Sequence, residues 1–300
     1  MANNIEYAKV FQTELDRQMT EGATSGWMED NAGQAVYAGG KEIKLPTVSL
    51  QGLGDYDRDE GYTGGAVTFS YQTFTMEQDR GRRFRLDAMD VSEADFAVTA
   101  AKVAEEFQRT KVIPEIDAYR YSTLAGKAQL SSSYTPDAAT VYSKLVEQLS
   151  QVCDITGGEV PLVITMARPV YDLLMNSPEL NRCLDVTQFK QGELTTEVKS
   201  INGAVIIPVP SARMKSRYDF AKDGDGGFKP AEDAESINWI ICPKTAPVAV
   251  SRTDRVKIVA PEQNQFADAW DIDYRKYHDL FLSENAAEVT AVSLNTAAKG

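Results

Sequence analysis

The sequence predicts an α+β fold, and three observations predict it. Apolar residues recur at helical spacing near the N-terminus and again from about Ser92 to Tyr121. Residues 44–90 alternate with a period of two around a glycine- and aspartate-rich centre, as a long hairpin does. From Thr135 onward, short apolar runs of strand length alternate with helical stripes, and a mostly β region closes the chain.

At the N-terminus, Tyr7, Val10, Phe11, Leu15 and Met19 form one stripe of a short amphipathic helix. The stretch after it, Gly22 to Gly40, is rich in Gly, Ala, Asn and Asp and has no period. Such a helix cannot bury its apolar face within its own segment, so it is expected to pack on a distant part of the chain or on another chain. The hairpin comes next. Lys44 to Leu50 alternates, and Val67, Phe69 and Tyr71 alternate against Thr68, Ser70 and Gln72. Between them lies a charged tip, Gly52 to Gly65, carrying Asp57, Asp59 and Glu60. Two strands alone are marginal in water, so the hairpin needs a partner surface.

A polar run, Glu77 to Asp87, places Arg80, Arg82, Arg83 and Arg85 close together in an acidic chain. It reads either as a solvated turn or as a cluster that pairs with carboxylates through the arginine fork. Ser92 and Asp95 have the spacing of a capping box, ahead of the stripe Phe96, Ala100, Val103, Ala104 and Phe107. That helix is expected to run to about Thr110, break at Val112-Ile113-Pro114 and resume through Tyr121.

Thr135-Pro136-Asp137 reads as the start of a core-facing helix carrying Tyr142, Leu145, Leu149 and Val152. Pro161 to Met166, Gly203 to Pro208 and Ile237 to Cys242 read as buried strands, and Arg168-Pro169 opens another helix. Arg213 to Ser236, with its glycines, lysines and acids, reads as a mobile surface insertion. Val256 to Leu294 reads as the closing β region.

Composition narrows the chemistry. At 43% hydrophobic and 25% charged, the 300 residues are ordinary for a soluble globular chain. A net charge of −13 repels nucleic acid phosphates. No apolar run reaches the ~20 residues of a membrane span. The start lacks the basic and apolar stretches of a signal peptide, which points to the cytosol. Cys153, Cys183 and Cys242 are odd in number and lack C-x-x-C spacing, which argues against disulfides and zinc. The single histidine, His278, lies beside a strand-like alternation and is expected to be structural. The acidic runs at Asp55 to Glu60 and Asp223 to Gly227 fail the calcium-loop pattern, and the phosphate-loop and nucleophile-elbow motifs are missing. No catalytic, cofactor-binding or metal-ligating residue is assigned, and the chain reads as a non-enzyme.

The order of parts resembles the major capsid proteins of tailed bacteriophages, the HK-ninety-seven-like fold. Thr75 to Phe84, with its short link into the helix from Ser92, looks like the hairpin-to-spine junction of that family. Pro114 to Tyr119 and Trp270 to Asp279 are also similar to it. The resemblance implies an N-terminal arm (1–43), an extended β-hairpin or E-loop (44–91), a peripheral domain with a long spine helix (92–135 and 255–300) and an axial domain (136–254). It implies a virion shell protein assembled in the host cytoplasm, with other copies of itself as partners in hexamers and pentamers. Portal, scaffolding and decoration proteins are further partners it implies, with packaged DNA contacted only non-specifically and no membrane. Because the sequence starts at the arm, a scaffolding region is expected to be absent, supplied separately or already cleaved. Candidate interface residues are Tyr7, Val10, Phe11 and Leu15 in the arm, and Arg80, Arg82, Arg83 and Arg85 facing Asp57, Asp59 and Glu60 of a neighbour. The competing readings are an encapsulin-like nanocompartment shell and an α/β small-molecule-binding domain or enzyme.

Overall fold

A computed structural model describes residues 22–295, apart from 60, 63, 88, 90–101, 179, 181–184, 192–193, 223 and 225. The arm residues Tyr7, Val10, Phe11 and Leu15, the capping pair Ser92 and Asp95, and Cys183 therefore lie outside the described residues, as does Glu60.

The described chain enters through a 3-10 segment, Gly26–Gln34, that buries Trp27 and Met28 completely. Two anchors leave no sequence period, which is why this segment reads as loose chain. Strands β1 (Val36–Gly39), β2 (Glu42–Leu50) and β3 (Val67–Thr75) form an antiparallel sheet, with β2 and β3 in register from Glu42 opposite Thr75 to Leu50 opposite Val67. The arginine run is a strand, β4 (Gln78–Asp87), which corrects the solvated-turn alternative. Its alternation sends Phe84 and Leu86 to a core face while Arg83 and Arg85 point the other way.

A helix described from residue 102 continues through a π-helical turn, Gln108–Val112, into α1 (Ile113–Lys127). The expected break at Pro114 is thus a bulge within a continuous helix. Proline lacks an N–H and crowds the carbonyl four residues back, and the wider turn accommodates both defects.

Strand β5 (Leu130–Ser133) precedes α2 (Val141–Thr156), which begins four residues after Asp137. The delay has a local cause. The Asp137 carboxylate accepts the Ala139 N–H at 3.2 Å, and the Asp137 N–H donates to the Tyr134 hydroxyl at 3.0 Å, which holds a turn there. Strand β6 (Leu162–Ala167), helix α3 (Arg168–Met175) and strands β7 (Asp185–Gln191), β8 (Leu194–Ile201) and β9 (Ala204–Val209) follow. A small hairpin, β10 (Tyr218–Phe220) and β11 (Phe228–Pro230), leads into β12 (Ser236–Pro243). The chain closes with β13 (Val248–Val259), β14 (Ala269–Phe281), α4 (Glu284–Glu288) and β15 (Ala291–Asn295).

Seven strands in the order β5-β15-β12-β6-β9-β8-β7 make the main sheet. Its largest core cluster joins Leu145, Leu149 and Val152 of α2 to Ile164, Met166, Trp239 and Ile241. The C-terminal strand β15, expected with the spine helix, pairs here with β12 and β5. A second sheet, β13-β14-β4, packs Trp270, Ile272, Tyr274 and Val256 against Phe107, Val112, Ile113 and Ile116 of the long helix. The arginine strand, expected as part of the hairpin, therefore belongs to the sheet that carries the helix.

The expected mobile insertion is a docked element. Met214 and Tyr218 are buried, the Tyr218 hydroxyl donates to the Ala212 carbonyl at 2.7 Å, and the Phe220 ring lies 5.8 Å from that of Tyr119 in α1. Three aromatics, Tyr218, Phe220 and Phe228, within a charged segment supply the anchor that its composition conceals.

Candidate subunit-contact surfaces

The hairpin β2–β3 has two unlike faces. One carries Ile43, Leu45 and Phe74 at its root, where they join Val248, Val250 and Phe281 in a buried cluster. The opposite face carries Pro46, Val48, Leu50, Val67, Phe69 and Tyr71, paired across the strands. All six are exposed, and the five other than Pro46 range from 49% at Val48 to 75% at Phe69. The tip adds exposed Leu53 and an edge-to-face pair, Tyr56 and Tyr62, with ring centroids 5.0 Å apart. At the tip the Asp57 carboxylate accepts the Asp59 N–H at 2.7 Å, an aspartate turn that fixes the loop, and Asp59 is exposed.

The four arginines find partners within the chain. Arg83 grips Asp273 with two bonds, 2.5 and 3.0 Å, and Arg85 grips Asp271 at 2.8 and 3.1 Å. The Arg85 fork holds the Asp271 carboxyl below its ordinary range. Arg80 pairs with Glu115 and lies over the Phe220 ring, while Arg82 donates to the Gly224 carbonyl at 2.9 Å. Arg80 and Arg82 thus clasp the β10–β11 hairpin, and Arg83 and Arg85 lace β4 to β14. The carboxylates met here are Glu115, Asp271 and Asp273, rather than the acids of the hairpin tip. Gly81 is required between them, because a Cβ there would lie 2.7 Å from the Tyr274 carbonyl oxygen.

A buried ionic network that sequence reasoning missed ties the N-terminal segment to the helix. Asp117, fully buried, accepts from the Thr24 and Ser25 hydroxyls at 2.8 and 2.6 Å and from Arg213 at 2.8 Å. Arg120, also fully buried, donates to the Ser25 carbonyl at 3.2 Å and to Glu29 at 2.5 Å. Burial opposes ionisation of Glu29, but Arg120 and Lys276 outweigh it and hold its carboxyl below the usual range. The available signal was the placement of Asp117 and Arg120 within the apolar spacing of Ile113, Ile116 and Leu124.

His278 sits beside this network, its ring 5.7 Å from that of Tyr119. Burial, then Arg120, Lys276 and Arg80, push its pKa well below the ordinary value. Burial also pushes the Cys242 thiol up to about 12. Among the described residues, no three His, Cys, Asp or Glu side chains converge as a metal site requires, and no helix is long and apolar enough to cross a membrane.

No protein-family model matches the sequence, and no curated protein matches it either. Solved structures do. The mature capsid of bacteriophage PhiM1 superposes with a TM-score of 0.58 at 10% identity, over 87% of this chain and 84% of that chain. The capsid of the cyanophage P-SCSP1u gives 0.54 at 12% identity, over 87% and 85%. A virus-like particle from Pyrococcus furiosus gives 0.53 at 9% identity, over 96% and 99%. With its projecting hairpin, long helix and two sheets, the chain has the HK-ninety-seven-like fold of tailed-phage capsid subunits.

Proposed function

We propose that this chain is the major capsid protein of a tailed bacteriophage, a structural protein that self-assembles into an icosahedral shell around phage DNA. The observation that carries the reading is the outward apolar face of the hairpin, Val48, Leu50, Val67, Phe69 and Tyr71, on a fold shared with phage capsid subunits. A contiguous exposed apolar face marks an interaction surface. Fully burying one such side chain contributes about 1.5–3 kcal/mol, so five of them are ample to drive association. A repeated head-to-tail contact closes into rings when its rotation allows, and rings build a shell.

In this reading the arm (1–43) and the E-loop (44–91) reach neighbouring copies. The spine helix with β13 and β14 forms the peripheral domain, and the seven-stranded sheet with α2 and α3 forms the axial domain. The partners are further copies in hexamers and pentamers, then portal, scaffolding and decoration proteins, with DNA held non-specifically inside the virion. Expression of the chain alone and together with its neighbouring genes, followed by negative-stain imaging, tests the proposal: closed shells are expected, and a lasting monomer under both conditions would refute it. The likeness to the Pyrococcus furiosus particle favours a second reading, an encapsulin-like compartment. Protein cargo without DNA in native particles would select it.

A further inference from the structure

On its helix-facing side β14 carries Tyr274, Lys276 and His278 in alternation, and the strands on either side set what they face. Lys276 stands opposite Asp254 of β13 in one direction and opposite Arg80 of β4 in the other. Its side chain is 4% exposed. An ammonium has three hydrogens to satisfy. Among the described residues this one donates a single bond, to Asp254 Oδ2 at 2.5 Å. Two further cations crowd it. Arg80 is a like charge directly across the strands, and Arg120 shares the fields of Glu29 and His278 with it. Asp254 is fixed from its other side, because its Oδ1 accepts the Tyr274 hydroxyl at 3.0 Å. The carboxyl group is therefore held with Oδ2 and Cγ turned to the lysine nitrogen. A buried ion pair seldom offsets the desolvation of its two charges, and an uncharged linkage in the same place avoids that penalty.

We propose that Lys276 and Asp254 condense within one subunit into an amide, an isopeptide bond that staples β13 to β14. A proton passes from Nζ to Oδ2 along their hydrogen bond, leaving an amine and a carboxylic acid. The nitrogen lone pair attacks Cγ, and the negative charge that develops on Oδ1 falls where the Tyr274 hydroxyl already donates. The Cγ–Oδ2 bond then breaks, and Oδ2 leaves as water with its own proton and one from the nitrogen. The step needs no oxidant and no second substrate. The Asp254 side chain is 22% exposed, which gives the water a way out. Register supplies the remaining requirement, since two groups held face to face across a strand pair meet at a high effective concentration. The bond closes residues 254 to 276 into a covalent loop, so β13 and β14 cannot peel apart there while it is intact. It lies inside one copy and stands or falls independently of the shell reading.

The test is intact-mass spectrometry of the full chain, as purified and after prolonged incubation. The wild type is expected to weigh one water less than its sequence, and digestion to yield one branched peptide joining residues 254 and 276. Lys276→Arg keeps the charge but cannot form this amide, and Asp254→Ala removes the acyl carbon. Each is expected at its full sequence mass. Wild type that stays at full mass through incubation overturns the proposal. A lost water that persists in either variant also overturns it, because the loss then comes from a succinimide or another pair. A branched peptide mapped to different residues does the same. If both variants fail to fold, the wild-type mass and the site of the branched peptide decide by themselves.

Discussion

Two antiparallel strand pairs in this molecule have opposite fates. In β6 and β12 nearly every side chain is buried. In β2 and β3 the distal halves are as rich in Val, Leu, Phe and Tyr, yet those residues face solvent. Apolar content does not separate the pairs; cover does. Helix α2 lies over β12, with the Trp239 indole donating to Gln148 at 2.6 Å and Gln148 donating to the Val292 carbonyl at 3.1 Å. Among the described residues, no helix lies over the hairpin's outer face, whose apolar side chains are exposed. A strand pair in the first condition contributes to folding, and one in the second leaves apolar surface uncovered.

The comparison is sharpened by breaking each side of it. Trp239→Ala should cost about 3–5 kcal/mol of subunit stability in urea, because it removes a buried ring and strands Gln148. Asp117→Asn should cost about 1.5–3 kcal/mol, since it removes the charge that Arg213 and two hydroxyls converge on. A smaller effect comes from His278, which the fold keeps neutral. Unfolded chain binds a proton below about pH 6.5 that the native state refuses, so stability should fall as pH drops from there, by at most ~1.4 kcal/mol per pH unit. Asp279, raised by burial, works in the opposite sense as acid protonates it. The histidine is therefore read as wild type minus His278→Gln, and parallel stability curves for the two would refute its role. The smallest effect on stability belongs to the hairpin: Phe69→Ser should change the free subunit by no more than about 0.5 kcal/mol while abolishing shells. A loss of several kcal/mol in the isolated subunit would mean that the chain itself covers Phe69, and the comparison would fail.

Much of the fold was legible because long periods survive tertiary packing. The stripe Leu145, Leu149, Val152 and the runs at Leu162 and Ile237 are helix and strand in the structure as in the pattern. The hairpin was legible for the same reason, and the structure leaves the apolar side chains of its outer face exposed. What escaped were features defined by contact at a distance. Trp27 and Met28 bury themselves through a 3-10 turn too short to show a period. Asp117 and Arg120 share the helix face of Ile113, Ile116 and Leu124, but the partners that let two charges sit there, residues 24 and 25, lie some ninety positions away. The arginine run reads as either a solvated turn or a carboxylate-pairing cluster because its partners, Asp271 and Asp273, arrive from the far end of the chain. Charges reveal their roles only once register is known, and register lay outside the sequence pattern.

The central claim is that the outer face of the hairpin is completed by another copy. Hydroxyl-radical footprinting of Phe69 and Tyr71, in free subunits and in assembled particles, tests it most directly. The account predicts strong labelling of both residues in the subunit and strong protection in the particle, with Trp239 protected in each state. Equal labelling of Phe69 and Tyr71 before and after assembly would contradict it.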